Sequence, residues 1–180
     1  MKTESIPFFA SMLLLGWSIM SCNRNPQSCC VTEHDAKAIT DVILKDYGPE
    51  PTVIDIDAYT MSNDNFRTAL WTGTKLQLTL MSIPVGGEIG LEQHPDTDQF
   101  LRIEDGKAEV LMGDDKESLT FAQTAETDFA IMIPAGKWHN IINTGDKPLK
   151  LYSVYSPVEH PRGTIHKTYE EAEEAEAEHN

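Results

Sequence analysis

Glu92 and His94 stand two residues apart within Gly86 to Gly106, GGEIGLEQHPDTDQFLRIEDG. A carboxylate and an imidazole at alternate positions of a β-strand share one face, here with Glu88 and Gly90. Pro95-Asp96-Thr97-Asp98 is a turn sequence, in which Pro presets φ and Asp bonds its own backbone. The chain then returns through Gln99, Leu101 and Ile103 on one face and stops at Glu104-Asp105-Gly106. Two metal-ligand types, followed across a tight turn by a further oxygen donor, can converge on one point. A second segment, Pro134 to Asn140, brings in another imidazole, His139.

At these residues the sequence resembles the cupin superfamily. Its first motif is Gly, five residues, His-x-His, three or four residues, Glu, six residues, Gly. Here it runs Gly86, five residues, Glu92-x-His94, four residues, Gln99, six residues, Gly106. The second motif is Gly, five residues, Pro-x-Gly-x-x-His, three residues, Asn; here it runs Asp128, five residues, Pro134-x-Gly136-x-x-His139, three residues, Asn143. The departures are Glu92 for His, Gln99 for Glu and Asp128 for Gly. The first two alter the expected metal site, and the third touches only a turn. The resemblance spans about residues 65 to 168 and implies one divalent metal ion held by Glu92, His94, Gln99 and His139. Glu92, His94 and His139 then have the composition of a 2-His-1-carboxylate triad, which leaves open positions on Fe(II). The same donors suit Zn or Mn.

The positioning elements read as mostly β. A helical apolar pattern, Ala36, Ile39, Val42 and Ile43, predicts a helix over Thr32 to Tyr47, ended by Gly48 and Pro51. Val53 to Ile56 reads as a short strand, and Phe66 to Trp71 with Leu76 to Ile83 as a hairpin. Further strands are expected at Ala108 to Met112, Ser118 to Phe121, Phe129 to Ile133, His139 to Asn143 and Leu149 to Tyr155. Many short strands at near-regular spacing without helices between them argue an all-β sandwich or barrel. The motifs decide for the double-stranded β-helix, the cupin jelly roll, with a short N-terminal helix. His160 and His166, in the irregular segment after Tyr155, can fold over the barrel mouth or lie on the surface. The end of the chain, EEAEEAEAEHN, holds six glutamates and no apolar stripe, so it reads as a solvated, frayed tail.

Residues 1–21 combine Lys2, an apolar run from Ile6 to Met20 and a closing Ser21, the pattern of a secretory signal. Ile19-Met20-Ser21-Cys22 resembles a bacterial lipobox, which predicts a lipidated Cys22 and a protein anchored in the cell envelope outside the cytoplasm. The chain then divides into a tether and short helix (22–52), a cupin barrel (53–168) and an acidic tail (169–180). All three cysteines lie before residue 31, which excludes a Cys-rich zinc site and a disulfide in the barrel. A net charge of −15 excludes a phosphate footprint for nucleic acid and attraction to anionic lipid, so membrane contact should come only through the anchor. It also repels polyanionic substrates unless Arg67, Arg102, Lys137 or Arg162 turns toward the site. Two function classes stand. One is a metal enzyme on a small carbonyl or sugar-derived molecule, moving a proton as an isomerase, epimerase or lyase, with an Fe(II) dioxygenase as its rival. The other is a non-catalytic, lipid-tethered barrel that binds sugar or metal. A homodimer is compatible with both.

Overall fold

Two antiparallel sheets face each other across an apolar core, because each inner strand alternates buried and outward side chains. The computed structural model describes residues 42–177. In chain order these form α1 (Ile56–Ser62), β1 (Arg67–Thr72), β2 (Gln77–Ile83), β3 (Glu92–Gln93), β4 (Asp98–Asp105), β5 (Lys107–Gly113), β6 (Phe121–Glu126), β7 (Ala130–Ile133), β8 (Trp138–Asn143), β9 (Leu149–Ser156), β10 (Ile165–His166) and α2 (Tyr169–Ala177). One sheet has the order β10-β1-β2-β9-β4-β7 and the other β3-β8-β5-β6. The architecture is the all-β jelly roll that the motifs imply, preceded by a short helix.

Met81, Ile83, Leu101, Ile103, Val110, Ile131, Ile141 and Leu151 meet between the sheets, and each is at most 6% exposed. Full burial of such a side chain contributes about 1.5–3 kcal/mol. Leu80, one residue out of phase with Met81, faces the other way and packs with Tyr59 of α1, Leu70, Val42, Tyr47 and Ile54. The segment ahead of the barrel thus covers the outer face of the larger sheet. No helix among the described residues is long and apolar enough to cross a membrane.

Four expectations need correction. The helix expected over Thr32 to Tyr47 is absent in its described part, since 42–47 are irregular; 32–41, like Cys22 and the signal and tether before them, lie outside the described residues. The strand expected at Val53 to Ile56 is a loop leading into α1. Asp55 caps that helix by accepting from the Ala58 N–H at 3.2 Å, and this local bond wins over β-propensity. The strand expected at Ser118 to Phe121 begins only at Phe121.

The fourth correction concerns the acidic tail, which is not a solvated fray up to Ala177. Thr168 Oγ1 accepts from Glu171 N while Glu171 Oε2 accepts from Lys167 N, a variant of the capping box that starts α2. Glu170 and Glu171 in its first turn suit the helix dipole. Ala172 is buried in the main core, and Tyr169 packs beside it with its ring edge-on to Phe66. Two small apolar contacts, too narrow for a visible stripe, dock the helix.

Candidate metal centre

The site starts from a strand register. Strand β3 pairs with β8 so that Glu92 lies opposite His139 and Gln93 opposite Trp138. Two further bonds lock the motif segments together: Gly136 N donates to His94 O at 2.8 Å, and Gln93 Nε2 donates to Gly136 O at 2.8 Å. Gly136 has φ 78°, a conformation costly for any residue with a Cβ. Asp98 accepts from Ala135 N at 2.9 Å and so ties the same two turns. Asn143 bonds the carbonyls of Ile83, Pro84 and Lys147, a structural staple.

The strand expected through Glu88, Gly90, Glu92 and His94 shrinks to β3, because Gly86 and Gly90 take φ 72° and 97°. Glu88 keeps only an isolated bridge to Ile142 and accepts from Asn140 Nδ2 at 2.7 Å. Gly90 also gives α2 its seat. A Cβ there would lie 3.2 Å from the Tyr169 hydroxyl and 3.3 Å from Glu173 Oε1.

Glu92 Oε1 stands 3.2 Å from His139 Nε2 and 3.3 Å from His94 Nε2, and the three ligand atoms lie within 4.8 Å of one another. Both imidazole tautomers are set from behind. His139 Nδ1 is 2.9 Å from the Lys137 carbonyl, and His94 Nδ1 is 2.9 Å from Glu159 Oε1. Carbonyls and carboxylates only accept, so each Nδ1 carries a hydrogen and each Nε2 is left facing Glu92, where it donates when protonated and offers its lone pair to a cation otherwise.

Three lone pairs meeting in a buried place draw a positive charge. In the metal-free protein a proton serves. Burial opposes a charge on His94, yet the carboxylates of Glu159 and Glu92 push it up to about 9. Burial likewise works to raise Glu92, but contacts with His139 and His94 and the charge of Arg67 hold it well below the usual carboxylate range.

The donor set also fits a metal ion. Atoms bound at about 2.1 Å to one ion stand about 3.0 Å apart at right angles and about 3.4 Å apart in a tetrahedron. The observed 3.2 and 3.3 Å fall between these. Gln99, the fourth expected ligand, lies on the inner face of β4. Its Nε2 donates to Ser153 Oγ at 3.0 Å, while Oε1 is buried without a donor. His94 Nε2 is likewise buried, close to Glu92 but without hydrogen-bond alignment.

A cavity of about 740 Å³ opens beside the cluster, lined by Glu92, His94, Trp138, Glu159, His160 and His166 and, from α2, Glu173 and Glu176. Trp138 is half-buried on this wall, with Lys116 over its ring. Both histidines of the segment after β9 reach the cavity. Gln77 grips the His160 backbone twice, each bond 2.9 Å, and the His160 ring stands edge-on to Tyr155 at 5.0 Å. Burial, then the Arg67 charge, pulls His160 down to about 3, so it is neutral, with Nε2 unpartnered. Burial raises Tyr155 to about 12.

Arg67 is the cation that turns inward. It is 1% exposed, donates to Glu176 at 2.8 Å and lies 3.9 Å from Glu92 Oε2. Arg102 instead pairs with Glu104 and Asp128, and Lys137 with Asp114. Glu159 and Glu176 escaped the sequence reading. For Glu159 no spacing rule exists, since it follows the barrel strands; for Glu176 the Thr168-x-x-Glu171 capping box was the available signal.

Comparison with known proteins agrees with this geometry. A family model described as a cupin domain matches residues 79–155. The uncharacterized protein YrkC of Bacillus subtilis (strain 168) is 55% identical over 136 residues, 76% of this chain and 73% of that protein. The uncharacterized protein L612 of Acanthamoeba polyphaga mimivirus is 40% identical over 114 residues, 63% of this chain and 69% of that one. The crystal structure of BH2720 from Bacillus halodurans superposes with a TM-score of 0.72 at 54% identity, covering 72% of this chain and 98% of that one. With the jelly roll, both motifs and these relatives in hand, the chain belongs to the cupin family.

Proposed function

We propose that this protein is a divalent-metal-binding cupin that acts on a small carbonyl or sugar-derived substrate by proton transfer, as an isomerase, epimerase or lyase. The supporting observation is the convergence of Glu92 Oε1, His94 Nε2 and His139 Nε2, with both imidazole tautomers fixed to present lone pairs. These three residues would hold the ion, and Gln99, whose Oε1 is buried without a donor on the inner face of β4, would offer a neutral oxygen as the fourth ligand. Held there, a Zn, Mn or Fe(II) ion would supply Lewis-acid polarisation of a carbonyl or enol oxygen.

The chain's own residues supply the rest. Glu159 is occupied by His94, and Glu176 by Arg67. His160 is too weakly basic to take a proton near neutral pH. His166 lines the cavity with a buried, unpartnered Nδ1, and burial, then the Arg67 charge, lowers it from its ordinary value. An imidazole nitrogen that faces the cavity without a partner can accept a proton, which makes His166 the proposed base.

The test begins with metal-to-protein ratios on protein purified without added metal. Glu92→Gln, His94→Ala and His139→Ala should each lose most of the metal, and a full complement in Glu92→Gln would end the reading. A screen of small carbonyl compounds for deuterium uptake from solvent then reads proton transfer directly. The 2-His-1-carboxylate composition favours a second reading, an Fe(II) dioxygenase, which oxygen consumption on the same panel separates from the first. Ligand binding without turnover would point instead to a non-catalytic barrel. For location, the support is the sequence from Lys2 to Cys22: the protein is proposed as a lipoprotein of the cell envelope, and mass spectrometry should find Cys22 acylated at the mature N-terminus.

A further inference from the structure

Arg67 is a buried guanidinium held between two carboxylates of different standing. Glu92 is an integral part of the cluster, with Oε1 toward the imidazoles and Oε2 toward Arg67. Glu176 arrives from the last turn of α2 and is 39% exposed. A carboxylate in a helix's last turn faces the negative end of the dipole, and no basic residue there offsets it. The buried apolar contacts of α2, Tyr169 and Ala172, lie in its first half. Arg67 is a partner that draws Glu176 inward.

We propose that Arg67 is a carboxylate-binding subsite just behind the cavity wall, covered by Glu176 as a tethered stand-in, and that a small 2-oxo or 2-hydroxy carboxylate takes the subsite from the cavity by displacing that side chain. Three features support a ligand role over a purely structural ion pair. First, Arg67 Nε is buried without a partner, so the guanidinium fork is only partly used. Second, releasing Glu176 with nothing in its place leaves a buried charge with only the more distant Glu92, which is unfavourable, so the natural exchange is one carboxylate for another. Third, the described cavity lining contains no Lys or Arg but includes Glu92, Glu159, Glu173 and Glu176. Arg67 lies behind this wall, paired with the lining residues Glu92 and Glu176, so an anion is repelled by the lining and meets a cation only where Glu176 swings aside. Because one carboxylate, Glu92, joins the guanidinium to the cluster, a molecule with adjacent carboxylate and carbonyl groups spans both. The subsite stands on Arg67 and Glu176 alone; its role in choosing substrate rests on the metal reading above.

The probe is pyruvate, with neutral pyruvamide as its isosteric control, titrated by calorimetry into full-length protein as purified and again after chelator treatment. A tethered carboxylate competes at an effective concentration in the millimolar range. Wild type should therefore bind pyruvate weakly, and Glu176→Ala at least about tenfold more tightly. Pyruvamide should show no such gain. Glu173→Ala removes the same charge from the same cavity without touching Arg67, and should gain no more than about twofold. Adding Arg67→Met to Glu176→Ala should abolish the gain; if that protein does not fold, Arg67→Lys, which loses the fork, should lose most of it. The proposal is overturned if Glu176→Ala binds pyruvate no better than wild type. It is equally overturned if Glu173→Ala matches Glu176→Ala, or if pyruvamide gains as much as pyruvate. A gain that persists after chelation separates the subsite from the metal, so failure of the metal reading leaves this result interpretable.

Discussion

Removing Glu159 should weaken metal binding without touching a ligand atom. Its Oε1, 2.9 Å from His94 Nδ1, holds that ring in the tautomer and orientation that present Nε2 to the cluster. In Glu159→Ala the imidazole loses its acceptor, gains rotational freedom and becomes a weaker base. Loss of such a supporting partner costs about 10- to 100-fold in metal affinity, or roughly 1.4–2.7 kcal/mol. The Glu159 side chain is 26% exposed, so water replaces part of the lost bond and the lower half of that range, about 10- to 30-fold, is expected. Glu159→Gln keeps a carbonyl acceptor and should lose only about two- to fivefold by the same reasoning. Competition for Zn²⁺ against a chelating indicator gives the affinities. The titration belongs at pH 9.5, above the value of about 9 at which His94 releases its proton, so that proton competition does not mask the change. Wild-type affinity in Glu159→Ala, within twofold and with the fold intact by thermal melting, would refute the argument.

Two further outcomes follow from the same contacts. Gly90→Ala places a Cβ on a backbone at φ 97° and against Tyr169 and Glu173, so stability should fall by about 1–3 kcal/mol by chemical denaturation. Stability unchanged within error would contradict the seating of α2. Asp46 accepts from Gly48 N, Thr72 N, Thr72 Oγ1 and Gly163 N, and although burial works to raise its pKa, these bonds hold it below 3.8. A depressed folded pKa gives stability that is present above the unfolded value and lost as pH falls through the folded one. Asp46→Asn should therefore cost about 1–3 kcal/mol at pH 7, at the low end because the group is partly exposed. Denaturation curves at successive pH values should show the gap closing below about pH 4.

The barrel was legible because its signals are local and repeat: alternating Leu76-Leu78-Leu80, turn residues at Gly113-Asp114-Asp115 and Thr144-Gly145-Asp146, and two motifs in order. Glu92, His94 and His139 were legible for the same reason, as spacing along a strand carries their direction. What escaped depends on long-range packing. Leu80 and Met81 read alike, but only the fold assigns one to α1 and the other to the sandwich core. Val53-Ile54-Asp55-Ile56 favours a strand residue by residue, and one hydrogen bond from Asp55 turned it into a helix start. Asp128, flagged only as a non-glycine in the motif, keeps the glycine's geometry: it is the one described non-glycine with positive φ, at 73°. The tail was misread because six glutamates outweigh one Ala and one Tyr in any periodicity count, while Gly90, 79 residues earlier than Tyr169, supplies the seat that makes those two sufficient.

The position of β9 sets when this protein can fold at all. In the larger sheet it lies between β2 and β4, pairing from Gln77↔Tyr155 to Ile83↔Leu149 on one side and from Asp98↔Ser156 to Asp105↔Lys150 on the other. On the ribosome β2 and β4 therefore emerge with their facing edges unpaired, and neither can pair with the other without closing the seat that β9 must take. Every residue up to 148 can be synthesised while two strand edges still expose bare amides and carbonyls, a template for pairing with other chains. Arg67 waits longer still, 109 residues in sequence from Glu176. Such non-local closure makes folding slow and essentially post-translational, so a nascent chain stalled before residue 149 is a substrate for chaperones rather than a half-built barrel.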